Sequence, residues 1–182
     1  MRITRDMIDK QLRFKGKLMS KFVKYNSPKD FEKNNKIADK LYKGKKSRKM
    51  ICAEIYVRNR DNKKIRVCIY KPKNFKPNAT GILWLHGGGY AMCVPEQSMY
   101  YFENLTSVAN CVIVAPDYTH SLEKPYPAAF NDCYDILCFM KENAQKLGIR
   151  DDQIFVGGES CGGGLSAALC LYARDTKEIN IA

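Results

Sequence analysis

Ile154-Phe155-Val156-Gly157-Gly158-Glu159-Ser160-Cys161-Gly162-Gly163-Gly164-Leu165 is the stretch whose reading decides the fold. Residues 154–156 are apolar and suited to a buried strand, and residues 165–174 carry a helical pattern. Between them lies Gly158-Glu159-Ser160-Cys161-Gly162, a GxSxG sequence in strand-to-helix context. A serine lifted on so tight a turn needs small residues two before and two after it, because the neighbouring backbones pass close, and Gly158 and Gly162 supply them. The helix that follows points N–H groups, at the positive end of its dipole, toward any negative charge forming beside Ser160. Alone the pattern is weak, since chance would place one in roughly 3% of sequences of this composition.

A second glycine loop raises its weight. Residues 82–85 are wholly apolar, a candidate parallel strand, and run directly into His86-Gly87-Gly88-Gly89. Glycines without Cβ let backbone amides face a ligand, and the oxyanion of a tetrahedral intermediate needs two or three such donors. The remaining elements fit around these loops. Residues 51–57 and 65–70 read as a hairpin about the polar turn at 59–62, residues 95–109 as a helix, 111–115 as a strand, and 128–147 as a long helix closed by Gly148. Alternating strands and helices argue for an α/β fold, a mostly parallel sheet with helices on both faces.

Composition sets the frame. At 182 residues, 45% hydrophobic and 27% charged, the chain fits one folded domain. The net charge of +12 is confined to residues 1–50; residues 51–182 are balanced. In that leader Ile3, Met7, Ile8, Leu12, Leu18, Met19, Phe22 and Val23 recur at helical spacing between lysines, predicting amphipathic helices with a solvated basic face, joined to the main domain by a lysine-rich linker over 40–49. Nothing there resembles a nucleic-acid platform. No signal peptide or transmembrane span is legible, and the eight cysteines sit in apolar runs without metal-binding spacing, which predicts reduced thiols and a cytoplasmic location. Neither glycine loop has nucleotide-binding spacing, so no metal or cofactor is expected.

The two loops resemble the HGGG motif and the nucleophile elbow, commonly GDSAGG, of the hormone-sensitive-lipase family of α/β-hydrolases, to which many acetyl and carboxyl esterases belong. Asp117-Tyr118, then Glu123, Pro125, Pro127, Ala128 and Ala129, is similar to a third family segment, DYRLAPEHPFPAA, with Thr119-His120-Ser121-Leu122 departing from it. The resemblance covers residues 51–173. It implies Ser160 as nucleophile, the N–H groups of Gly88, Gly89 and Cys161 as oxyanion hole, His86 and Gly87 as loop-forming residues, and Gly158, Glu159 and Gly162 as the elbow. It further implies small-molecule acyl esters of short to medium chain as substrates, and a cap role for residues 1–50. The family also includes non-catalytic ligand-binding members, the plant gibberellin receptors, as an alternative.

A serine nucleophile needs a histidine base held by a carboxylate. In this fold both follow the serine, yet after Ser160 there are only Asp175 and Glu178 and no histidine, while His86 and His120, the two histidines of the chain, precede it. Residues 179–181 begin an alternating pattern that predicts a further strand. The sequence thus reads as the N-terminal part of an α/β-hydrolase, truncated after the nucleophile helix, catalytically incomplete alone and prone to self-association through an exposed sheet edge.

Overall fold

The computed structural model describes residues 3–182, with Phe22 described by its backbone alone. Two helices, α1 (Lys10–Phe22) and α2 (Pro28–Tyr42), precede a five-stranded sheet of β1 (Met50–Arg58), β2 (Lys64–Pro72), β3 (Ala79–Leu85), β4 (Cys111–Asp117) and β5 (Ile149–Gly158). Helix α3 (Met99–Val108) joins β3 to β4, α4 (Ala128–Glu142) and the short α5 (Ala144–Leu147) join β4 to β5, and α6 (Cys161–Thr176) follows β5. The strand order is β1-β2-β4-β3-β5. The β1-β2 hairpin adds antiparallel to β4, whereas β4, β3 and β5 run parallel.

Both faces of the sheet are covered, which explains why β4 is apolar without alternation. Val112 and Val114 point to the side where α4 and α6 supply Ile136, Leu137, Met140, Leu165 and Leu169. Cys111, Ile113 and Ala115 point to the other, where Phe102 of α3 packs with Tyr70 and Met50. Parallel strands between helices bring the C-terminal ends of β3, β4 and β5 together at one edge, and the loops leaving those ends build the site.

Several boundaries differ from the sequence reading. The helix expected at 95–109 opens as a 3-10 turn, Pro95–Ser98, before α3. That expected at 128–147 breaks at Asn143, whose side-chain amide donates to the Phe139 carbonyl at 3.0 Å. β5 begins five residues earlier than its apolar run, because Gly148 at φ 76° turns the chain straight from α5 into the strand. No strand forms at 179–181 among the described residues: Ile179 folds into the core, and Ala182 N donates to the Ile154 carbonyl at 2.9 Å. β5 is an edge strand with Phe155 half exposed.

The leader is helical, and its caps say why. Asp9 accepts from Gln11 N, and Ser27 with Asp30 forms a reciprocal capping box ahead of Pro28. α2 runs to Tyr42, so the connecting segment starts at Lys43 rather than Lys40. Met7, Phe14 and Met19 are 60% or more exposed, and Phe22, counted in the stripe, lies outside the described side chains. What holds α2 is polar: Asn35 donates to Ala91 O at 2.8 Å and accepts from Cys93 N at 3.2 Å, and Lys43 reaches Asp117 at 3.1 Å. No described helix is long and apolar enough to cross a membrane.

Candidate active site

Ser160 is the N-cap residue of α6 at φ 53°, ψ −122°, a region that L residues occupy only under constraint. The constraint is steric. A Cβ on Gly158 would lie 2.4 Å from the Leu85 carbonyl oxygen, and one on Gly162 only 2.0 Å from the same atom, so β3, the elbow and the first turn of α6 touch backbone to backbone. A Cβ on Gly87 would stand 3.3 Å from Ser160 Cβ, which places the 86–89 loop directly against the serine. Gly88 (φ 129°) and Gly89 (φ 62°) turn that loop. Gly88 O accepts from Ala91 N and Met92 N, whereas the N–H groups of Gly88, Gly89 and Cys161 donate to no group among the described residues. Three free donors thus lie on the two loops that meet at Ser160.

The side chains behind this seam carry roles that motif reading did not assign. The Glu159 carboxylate accepts from Gly87 N at 3.0 Å, Ser98 Oγ at 2.6 Å and Trp84 Nε1 at 2.7 Å, tying the 158–162 turn, the 86–89 loop and the turn before α3 together. Cys161 contributes more than its backbone, since its sulfur accepts from Tyr90 N at 3.2 Å. Tyr118 donates to the His86 carbonyl at 2.7 Å and stacks on the His86 ring at 4.3 Å. Below lies an ion network in which buried Arg66 pairs with buried Glu96, with the exposed Glu54 at 2.7 Å and with Asp117 at 3.3 Å. The sequence offered one signal for the Glu159 clamp: an acid inside the GxSxG elbow.

Glu159→Ala is expected to leave Trp84 Nε1, Gly87 N and Ser98 Oγ without their acceptor. Losing a hydrogen-bonded carboxylate costs about 2 kcal/mol. Trp84 is the one tryptophan, so its emission spectrum reads the change directly alongside a lowered urea midpoint. An unchanged spectrum and midpoint would show that the clamp is dispensable.

His86 is buried, its Nδ1–H donates to the Gly87 carbonyl at 2.8 Å, and burial pushes its pKa down to about 4. Burial also lowers that of His120. The unfolded state protonates His86 near pH 6.5, while the folded state refuses that proton until about pH 4. Stability from this source is therefore present above about pH 6.5 and lost as pH falls toward 4, a decline of about 3 kcal/mol for His86. Urea midpoints measured at intervals from pH 7.5 to 4.5 test this; a flat profile down to pH 5 would contradict it.

Neither histidine is hydrogen-bonded to Ser160 among the described residues. His86 Nε2 and His120 Nε2 are buried without a hydrogen-bond partner, and His86 Nδ1 is engaged by Gly87.

A parallel sheet that presents a strained serine at the head of a helix, with a glycine loop from a neighbouring strand folded against it, defines the α/β-hydrolase class. The sequence match agrees: residues 82–182 match the alpha/beta hydrolase fold family, and the chain belongs to it. An arylesterase of Saccharolobus solfataricus is 33% identical over 109 residues, 60% of this chain and 35% of that protein. Carboxylesterase NlhH of Mycobacterium tuberculosis is 32% identical over 111 residues, 61% and 35% of the two chains. Among solved structures, an arylesterase superposes with a TM-score of 0.79 at 26% identity, covering 95% of this chain and 56% of that one. A bacterial heroin esterase superposes at 0.75 with 25% identity, covering 86% and 50%. The chain thus spans about a third of the length of these curated relatives and about half that of the solved chains. The likeness to hormone-sensitive-lipase-type esterases read from three motifs agrees with these matches.

Proposed function

We propose that residues 51–182 are the nucleophile-bearing part of a carboxylic ester hydrolase. Ser160 attacks the acyl carbon, and the N–H groups of Gly88, Gly89 and Cys161 receive the oxyanion. The observation that carries this reading is Ser160 held at φ 53° with the Gly87 loop against its Cβ. An apolar cleft of about 380 Å³, lined by Tyr90, Phe130, Leu165 and Ala168, opens beside the first turn of α6 and suits a short or medium acyl chain. Residues 1–50 act as a cap segment through the Asn35 contacts, and the β5 edge favours self-association.

An exposed serine beside three free donors keeps the residual acceleration that an oxyanion hole and binding provide without a base, about 10³ to 10⁴ over water. p-Nitrophenyl acetate is therefore expected to acylate Ser160 slowly and once, located by peptide mass spectrometry and absent in Ser160→Ala. Acetyl groups scattered over lysines and other serines, with Ser160 unmodified, would reject the assignment.

A second reading has its own observation. With neither histidine hydrogen-bonded to Ser160 among the described residues, this chain alone is a catalytically incomplete fragment or a ligand-binding relative. Under either, the cleft still binds acyl esters without turning them over.

A further inference from the structure

His86 and His120 stand far apart in sequence, on the loops after β3 and β4, and no spacing rule links them. The fold brings them together. Their rings lie 6.0 Å apart, centroid to centroid, at 82°, and one ligand atom from each, with a carboxylate oxygen of Asp117, all lie within 4.8 Å of one another.

We propose that His86, His120 and Asp117 form a binding site for a late first-row divalent cation, best suited to Zn²⁺, which ties the oxyanion loop to the loop after β4.

Three observations support it. First, both Nε2 atoms are buried and partnerless, and the His86 ring is anchored through a backbone contact, Nδ1–H to Gly87 O at 2.8 Å. A donated Nδ1–H fixes the tautomer whose Nε2 carries the lone pair, as in metal-ligating histidines that give their other N–H to a carbonyl. Second, two imidazole rings and a carboxylate converge, one ligand atom of each lying within 4.8 Å of the others. A water molecule donates only two hydrogen bonds, whereas a cation accommodates all three groups. Third, the charge balance tolerates a cation. Asp117 Oδ2 already faces Lys43 at 3.1 Å and Arg66 at 3.3 Å, but Arg66 is itself paired with Glu54 and Glu96, leaving the group one negative charge in excess.

Tetrahedral zinc at 2.0–2.1 Å from each ligand sets ligand atoms about 3.4 Å apart. The present spread of up to 4.8 Å closes by a shift of about 1.4 Å, for which His120, less buried than His86, is the free member. Sequence spacing gave no metal signature because the ligands come from separate loops.

The test is proton–nitrogen correlation NMR of the imidazole rings in the full chain titrated with Zn²⁺, beside an optical titration with Co²⁺. Only two rings need following. One equivalent of Zn²⁺ is expected to move Nε2 of both together into the metal-bound range while each Nδ1 stays protonated. Co²⁺ is expected to give a tetrahedral visible spectrum free of thiolate charge transfer. His120→Leu, with a near-ultraviolet circular dichroism spectrum like that of the wild type, should bind Zn²⁺ about tenfold more weakly or worse. If that variant fails to fold, the wild-type ring shifts decide alone. Movement of one ring only, of neither at excess Zn²⁺, or a thiolate-to-cobalt band at the first equivalent, which would place the ion on cysteines, overturns the proposal.

Discussion

Purified chain is expected to hydrolyse p-nitrophenyl butyrate no faster in steady state than its Ser160→Ala variant. A seryl hydroxyl is a poor nucleophile until a base takes its proton, and loss of triad members typically costs 10⁴ to 10⁶ in rate. No ring nitrogen of the two histidines is hydrogen-bonded to Ser160 among the described residues. His86 gives Nδ1–H to Gly87 O and encloses Nε2, with Tyr118 stacked on the ring, and His120 also encloses Nε2. Acylation without a base is slow, and deacylation needs the same base to activate water, so the second half of the cycle suffers equally. The comparison is initial rates on acetate and butyrate esters for both proteins at pH 7.5. Multiple turnover that depends on Ser160 and reaches about 1 per second would show that a base exists. His120 would then be the first residue to mutate, because it is the less buried of the two.

How far the sequence reached can be traced residue by residue. The strand-glycine-helix contexts at 86–89 and 158–162 were legible because glycine spacing records where backbones must touch, and the Leu85 carbonyl proves to be what both elbow glycines avoid. Strand 111–115 was legible from its unbroken apolar run, which burial on both faces of the sheet explains. Hydrogen-bonding partners left no such trace. Glu159 clamps Trp84 and Gly87 at the end of β3 to Ser98 in the turn before α3, and the meeting of His86 with His120 and Asp117 depends on two loops returning to one sheet edge. The leader shows the opposite failure. Its periodicity predicted helices well, yet helical spacing says nothing of what an apolar stripe faces, and the contacts of α2 run through Asn35 and Lys43.

The largest structural effect is expected from a single methyl group. In Gly162→Ala the new Cβ would lie 2.0 Å from the Leu85 carbonyl oxygen, 2.6 Å from its carbon and 2.7 Å from His86 O, all backbone atoms of β3 and the oxyanion loop. None can swing aside as a side chain does, so either β3 or the first turn of α6 must move. Overpacking of this kind costs about 1–3 kcal/mol or more, a large share of the 5–15 kcal/mol that holds a typical domain. The displacement would also carry Cys161 N away from Gly88 and Gly89, so slow acylation of Ser160 should fail with the loss of stability. Gly89→Ala provides the contrast. Gly89 also sits at positive φ, +62°, but its Cβ would meet nothing within 4 Å, so only backbone strain of about 1 kcal/mol is added. Urea unfolding of the two variants beside the wild type separates crowding from conformation. A Gly162→Ala midpoint equal to that of Gly89→Ala would mean that the elbow is looser than the Leu85 contact implies.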